Sequence, residues 1–162
     1  MSKAKKVWLS PQIKSQFQAI PELQDLIRDF IEYKKENLKF NDTNNYINIR
    51  YLIGRDVPYD KDPLKLEDTY HAHILEKGSP SHLKATRRYN FNKQVDWTSN
   101  YALVYCTLWS EDKLPHKERS AFGILDFWLD AHGQLNTNSK FRLQEMVDEF
   151  ERAVNKGDTM LW

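Results

Sequence analysis

Two histidines that stand two residues apart, His71 and His73, are the clearest chemical feature of the sequence. The surrounding run alternates in a way that predicts a β-strand, and successive side chains of a strand point to opposite faces. Both imidazoles are therefore expected on one face. The other face would carry Leu66, Tyr70, Ala72 and Ile74. Histidine has the side-chain pKa closest to neutrality, so such a pair can transfer protons, bind a metal ion or contact phosphate.

The elements around this strand follow from caps and periodicity. Ser10 and Pro11 predict the start of a first helix, Pro21 the start of a second, and Asn136 and Gly157 the two ends of a last one. Strands are predicted over residues 46–53, 64–75, 101–109 and 121–129, with a break over residues 54–56. Helices, then consecutive strands, then a closing helix indicate an α+β fold in which the helices pack on a small antiparallel sheet.

The strand over residues 101–109 is the strongest of these predictions and should lie in the middle of the sheet. Alternation assigns Ala102, Val104 and Cys106 to one face and Leu103 and Tyr105 to the other. We expect Cys106 to be a small core residue. The next strand is apolar except for an acidic residue at position 126.

Length and composition limit the class of protein. A chain of 162 residues predicts one domain over 1–162, with residues 1–9 as a flexible tail. No apolar run approaches the roughly 18 residues of a membrane span, so we expect a cytoplasmic protein without membrane contact. A net charge of +1 gives no overall field that would attract a polyanion.

Three kinds of chemistry find little support in the motifs. A metal site would need His71, His73 and a third ligand such as His116 or His132, but no CxxC or HExxH motif accompanies them. A serine nucleophile would need a GxSxG turn, and a nucleotide cofactor a glycine-rich loop; both are absent from the sequence. We therefore predict neither metal nor cofactor.

The remaining candidates fit the cleavage of RNA without a metal ion. That reaction needs a base for the 2′-hydroxyl, cations for the phosphate and an acid for the leaving oxygen, and aromatic rings can stack on the bases. The cations and histidines of these types are Arg55, His71, His73, Arg87, Arg88 and His132, and the aromatic residues are Tyr59, Tyr89, Trp97 and Tyr101. From residue types alone, the same side chains could instead serve as core and internal hydrogen-bond partners.

The order of the segments resembles that of the YafO toxins of bacterial toxin-antitoxin modules. The similar segments are Gly54-Arg55-Asp56, Tyr59-Asp60, the strand with His71 and His73, Thr98-Ser99 before the strand with Tyr105, and Ala131-His132, within residues 22–153. The resemblance implies a RelE-like α+β fold and an endoribonuclease that cuts mRNA on the ribosome. It also implies a cognate antitoxin as partner.

Under this resemblance, the catalytic residues are His71, His73, His132, Arg55 and Asp56. His71 or His73 would be the general base, His132 the acid and Arg55 the phosphate clamp, while Asp56 would orient Arg55 or a histidine. The RNA-binding residues would be Tyr59, Arg87, Arg88, Trp97, Ser99 and Tyr105. Where the family pattern has Arg-Thr-Ser-Asp, this chain has Trp97-Thr98-Ser99-Asn100. The alternative is therefore an inactive or diverged module of the same fold that binds RNA or protein.

Overall fold

The computed structural model describes residues 4–35, 53–59, 66, 68–74, 101–115, 118–130 and 132–161, and of residues 33, 35, 53–57 and 132 it describes the backbone alone. The strands are β1 (Lys6–Leu9), β2 (Ile53–Pro58), β3 (Thr69–Ile74), β4 (Ala102–Thr107), β5 (Ala121–Trp128) and β6 (Met160–Leu161). The helices are α1 (Pro11–Ala19), α2 (Leu23–Lys35) and α3 (Thr137–Lys156). The predicted α+β class is confirmed. In this part of the chain, no helix combines the length and apolarity needed to cross a membrane.

The described strands form one mixed sheet in the order β2-β3-β4-β5-β1-β6. Strands β2 to β5 pair antiparallel, as predicted, whereas β1 runs parallel to β5. The expectation of a purely antiparallel sheet is therefore wrong at this pairing. Residues 6–9, expected in a flexible tail, form β1, and the side chain of Val7 is completely buried.

The ends of the helices follow the caps in the sequence. Ser10 is the N-cap of α1, where its hydroxyl accepts a hydrogen bond from the backbone N–H of Ile13 at 3.1 Å. Asn136 caps α3 in the same way, through Ser139. At the other end of α3, Gly157 adopts a φ of +77°, a left-handed conformation that favours glycine.

Each face of the sheet carries its own hydrophobic cluster. Helices α1 and α2 cover one face, which we call the α1–α2 face, and α3 covers the other, the α3 face. The α1–α2 face carries Tyr70, Ala72, Leu103, Tyr105, Phe122, Ile124 and Phe127. The α3 face carries Ala102, Val104, Cys106, Leu125 and Trp128. The predicted division of β4 into two faces is confirmed, as is the burial of Cys106, whose thiol pKa is raised well above its ordinary value by burial.

Two sequence-based expectations around β2 and β3 are wrong. Residues 54–56, predicted to break the strand pattern, lie within β2. Leu66 lies outside β3 and packs in the cluster of the α3 face rather than with Tyr70. The reason is the turn at Asp68, whose φ of +57° interrupts the extended backbone between Leu66 and β3. The expected strand over residues 46–52 lies outside the described residues.

Strand β5 contains an irregularity that decides where its acidic residue lies. Tyr105 pairs with Ile124, but the preceding residue, Val104, pairs with Asp126, so Leu125 is an extra residue in β5. Directly paired residues of antiparallel strands share a face. The bulge therefore puts Asp126 in register with the α3 face, and Phe127 returns to the α1–α2 face.

The connection between β4 and β5 is held to the sheet by Arg119, which is 3% exposed. Its guanidinium donates hydrogen bonds to the carbonyl oxygens of Asp112 and Leu114, at 2.8 and 3.0 Å. It also donates to the hydroxyl groups of Thr107 and Tyr70, at 2.9 and 3.1 Å. One buried arginine thus satisfies both loop carbonyls and strand hydroxyls.

Candidate functional site

The two histidines of β3 lie together on the α3 face, as the alternation predicts. Their ring centroids are 5.0 Å apart and the rings meet edge to face, at 69°. His73 is 6% exposed, while His71 is half-buried. Of the pair, His71 is the imidazole that solvent, and hence a ligand, reaches more readily.

Tyr59, which follows β2, lies flat against His71. The ring centroids are 4.3 Å apart with an interplanar angle of 17°, so the phenol covers one face of the imidazole. Tyr59 is 6% exposed and its hydroxyl is buried, with no hydrogen-bond partner in the described part of the chain. Burial, and secondarily the charge of Asp126, raise its pKa above the ordinary value. In this position the buried phenol contacts the histidine, and its predicted role in RNA binding stays a prediction.

A buried carboxylate behind these rings is the main feature that the sequence prediction missed. Asp126 is 2% exposed, and its Oδ2 accepts a hydrogen bond of 2.7 Å from the indole Nε1 of Trp128. Trp128 in turn packs against Tyr59, with centroids 6.1 Å apart. Burial raises the pKa of Asp126, and its hydrogen bonds and the charge of Arg142 oppose that effect.

Two helices also contact this carboxylate. Arg142 of α3 forms an ion pair with Oδ2 at 3.3 Å, and the Gln16 side chain of α1 donates to Oδ1 at 3.0 Å. The signal in the sequence was the acidic residue itself, which interrupts an apolar strand. A charge at such a position is rarely buried unless it is paired.

The predicted Arg55-Asp56 segment runs beside the histidine strand. Asp56 pairs with Ala72, which lies between the two histidines, and Val57 pairs with His71. Neighbouring strands are about 4.8 Å apart, so the backbone of this segment lies directly beside that of the histidine strand. The side chains of Arg55, Asp56 and His132 lie outside the description, and His132 has its backbone in a 3₁₀ turn after β5. Their catalytic roles stay predictions.

The predicted RNA contacts divide into two groups. Tyr105 is completely buried on the α1–α2 face, where its hydroxyl accepts a hydrogen bond from Lys34 Nζ at 2.6 Å and its ring stacks on Tyr70. The expectation that Tyr105 contacts RNA is therefore wrong, because β4 is a central strand with both faces covered. The other predicted contacts, Arg87, Arg88, Trp97 and Ser99, lie outside the described residues.

A cleft of about 530 Å³ also opens on the α3 face, between the end of β4 and α3. Its lining includes the carboxylates of Asp68, Asp148 and Glu151, with Lys140 as its basic residue, beside the exposed ring of Trp109. Phosphate groups are repelled by such a surplus of negative charge. We therefore do not assign the RNA backbone to this cleft.

The fold and the site together define a small α+β protein with a histidine pair on the sheet face that its last helix covers. The chain belongs to the YafO family of toxins: the family model described as Toxin YafO, type II toxin-antitoxin system, matches residues 31–152. This range contains both histidines as well as Tyr59, Asp126 and Arg142. No curated protein and no solved structure matches the chain. As a type II toxin, the protein has an antitoxin as its partner.

Proposed function

We propose that this toxin is a metal-independent endoribonuclease that cleaves mRNA on the ribosome and that its antitoxin suppresses this activity. The observation that carries the proposal is the contact between His71 and His73, with His71 half-buried beside the phenol of Tyr59. An imidazole that is partly open to solvent and held by its neighbours is suited to accept a proton near neutral pH.

In the proposed reaction, the 2′-oxygen of the RNA attacks the adjacent phosphorus atom. His71 accepts the proton of the 2′-hydroxyl, a new bond forms between the 2′-oxygen and phosphorus, and the bond to the 5′-oxygen breaks. His132 donates the proton that the leaving 5′-oxygen needs, and Arg55 stabilises the charge on the phosphate. We assign the base to His71 rather than His73 because His73 is 6% exposed.

Binding of the RNA strand is assigned to residues 87–99. Arg87 and Arg88 would contact phosphates, and Trp97 would stack on a base, since stacking and charge together bind single strands. Ser99 would donate a hydrogen bond. In this assignment Tyr59 supports the histidine instead of contacting RNA.

The test uses purified protein, programmed ribosomes and a defined mRNA, with 5′ ends mapped by primer extension. Loss of a general base typically lowers a rate by 10²- to 10⁴-fold, so His71→Ala should reduce cleavage by about that factor. Lys14→Ala, at an exposed position of α1, is the control and should cleave like the wild type. Unchanged cleavage by His71→Ala would contradict the proposal. So would a stoichiometric bound metal that elemental analysis finds in the wild type and not in His71→Ala.

Two observations favour a second candidate, an inactive or diverged module of the same fold that binds RNA or protein without cleaving RNA. His73 is nearly buried, and Trp97 and Asn100 stand where the family pattern has an arginine and an aspartate. Binding of ribosomes or mRNA by both wild type and His71→Ala, without any product, would support this module. Growth arrest on expression that the antitoxin relieves, and that His71→Ala abolishes, would support the nuclease.

A further inference from the structure

The side chains of Tyr59, just after β2, and Trp128 of β5 connect the histidine pair to the buried carboxylate. His71 of β3 contacts Tyr59, Tyr59 contacts Trp128 of β5, and Trp128 donates its indole N–H to Asp126. We propose that Tyr59 is a positioning residue for His71 and that Trp128, fixed by Asp126, holds Tyr59 in its stacked position. The proposal rests on the proposed function, in which His71 is the base.

An imidazole base needs such support. Rotation about the bond between a histidine's Cβ and its ring is broad, so neighbouring groups must select the plane in which the ring presents its nitrogen. Tyr59 lies 4.3 Å from His71 at 17°, and rotation of the imidazole out of that plane would drive it into the phenol. The ring of His73 meets the imidazole of His71 edge to face. A displacement of about 1 Å at a reacting group can lower a rate by roughly 10²-fold.

Packing, and not a side-chain hydrogen bond, orients the phenol ring of Tyr59. Its buried hydroxyl has no partner among the described residues. The contact that limits the phenol is the Trp128 ring, 6.1 Å away at 44°. The positioning role should therefore depend on the aromatic ring and not on the hydroxyl. Phenylalanine can replace tyrosine here, and an aliphatic side chain cannot.

The indole of Trp128 is fixed at its polar edge. Asp126 Oδ2 accepts its Nε1–H at 2.7 Å, and the bulge in β5 is what places this carboxylate in register with the α3 face. Trp128 is 3% exposed, so no water replaces that acceptor readily. Asp126 thus fixes Trp128, Trp128 packs against Tyr59, and Tyr59 stacks on His71.

The experiment compares Tyr59→Phe with Tyr59→Leu by NMR and by cleavage. In the free protein, the Hε1 resonance of His71, identified among the five histidines by its loss in His71→Gln, reports the ring current of the stacked phenol. We expect Tyr59→Phe to keep this shift and to cleave within about twofold of wild type. Tyr59→Leu should move the resonance toward the value of an unstructured peptide and lower cleavage by about 10- to 100-fold.

Two further variants complete the design. Tyr101→Leu is the matched control, because it removes a tyrosine that stacks on Phe127, at an interplanar angle of 17°, on the opposite face of the sheet. It should leave the His71 resonance unchanged. Trp128→Phe keeps a ring beside Tyr59 but loses the bond to Asp126, and it should shift the resonance partially. It also tests the proposal if Tyr59→Leu does not fold.

An unmoved His71 resonance in a folded Tyr59→Leu protein would overturn the proposal, as would a moved resonance with unchanged cleavage. If the wild type does not cleave RNA at all, the proposed function fails. The NMR comparison then still decides whether Tyr59 orients the imidazole, so the two failures are distinguishable.

Discussion

The carboxylate of Asp126 accepts hydrogen bonds from four groups in the described part of the chain, and its replacement by leucine should destabilise the protein by an amount that the structure defines. Oδ1 accepts from the backbone N–H of Phe127 and from Gln16, and Oδ2 accepts from Trp128 and Arg142. The loss in the free energy of unfolding is less than four times the value of one bond, because some of these donors can bond to another acceptor or to water.

Three of the donors have alternatives. The N–H of Phe127 also lies 3.2 Å from Gln16 Oε1, and the amide of Gln16 also donates to the Phe127 carbonyl. The side chain of Arg142 is 44% exposed and returns to water, so its ion pair contributes little. The indole N–H of Trp128 has no other acceptor among the described residues. A buried donor left unsatisfied costs about 1–3 kcal/mol, so we expect Asp126→Leu to lower the free energy of unfolding by about 2 kcal/mol at pH 7.

Urea unfolding followed by circular dichroism measures this value, and a double-mutant cycle tests its cause. Trp128→Phe removes the donor that Asp126→Leu leaves unsatisfied, so the double variant should be more stable than the sum of the single losses predicts, by about 1–2 kcal/mol. In thermal unfolding, Asp126→Leu alone should lower Tm by roughly 4–8 °C. Losses that add to within about 0.5 kcal/mol would refute the assignment of the cost to this one hydrogen bond.

The pH dependence gives a second, independent result. Burial raises the pKa of Asp126 above the ordinary 3.8, so the folded protein binds this proton more tightly than the unfolded chain. The contribution to stability is fully present below that ordinary value and declines as pH rises through the folded-state pKa. The Asp126→Leu variant lacks this carboxyl group. The difference in the free energy of unfolding between wild type and variant should therefore be largest in acid and should become smaller as pH rises. A deficit that widens with pH would contradict this sign.

Two other substitutions test the packing around the sheet. A Cβ at Gly123 would lie 2.8 Å from the Sγ of Cys106 and from the ring of Phe150, so Gly123→Ala should overpack this contact and destabilise the fold by about 1–3 kcal/mol, measured by urea unfolding. Arg119→Lys keeps the charge but cannot form the four hydrogen bonds of the guanidinium, and it should cost at least about 2 kcal/mol. The exposed Arg152→Lys is its control and should stay within about 0.5 kcal/mol of wild type.

The sequence predicts those parts of the fold that depend on local rules. Caps at Ser10 and Asn136 define where helices start, because a side-chain oxygen there satisfies a free N–H. Alternation divides β4 correctly between two cores, because both faces of a central strand are covered and each must be apolar. The same rule puts the two histidines of β3 side by side.

Local rules fail where pairing with a neighbour decides the outcome. Leu66 shares the parity of Tyr70, but the left-handed turn at Asp68 separates them and sends Leu66 to the other core. Residues 54–56 contain glycine and aspartate, which are rare in strands, yet they belong to β2: Ile53 and Asp56 on either side pair with Ile74 and Ala72 of β3, and a register shift between them accommodates the two residues in the middle. Pairing energy of this kind cannot be read from the segment itself.

The position of Asp126 combines both cases. Its spacing to Trp128 is two residues, so an indole donor and a carboxylate on one strand face could have been predicted as a pair. Regular alternation from Phe122 and Ile124, however, would place that pair on the α1–α2 face, away from the histidines. The extra residue at Leu125 transfers both side chains to the α3 face, and only the register of β5 against β4 reveals it. An acidic residue that breaks an apolar strand is therefore a reason to look for a bulge, since a bulge can bring a buried charge to the face on which a site is built.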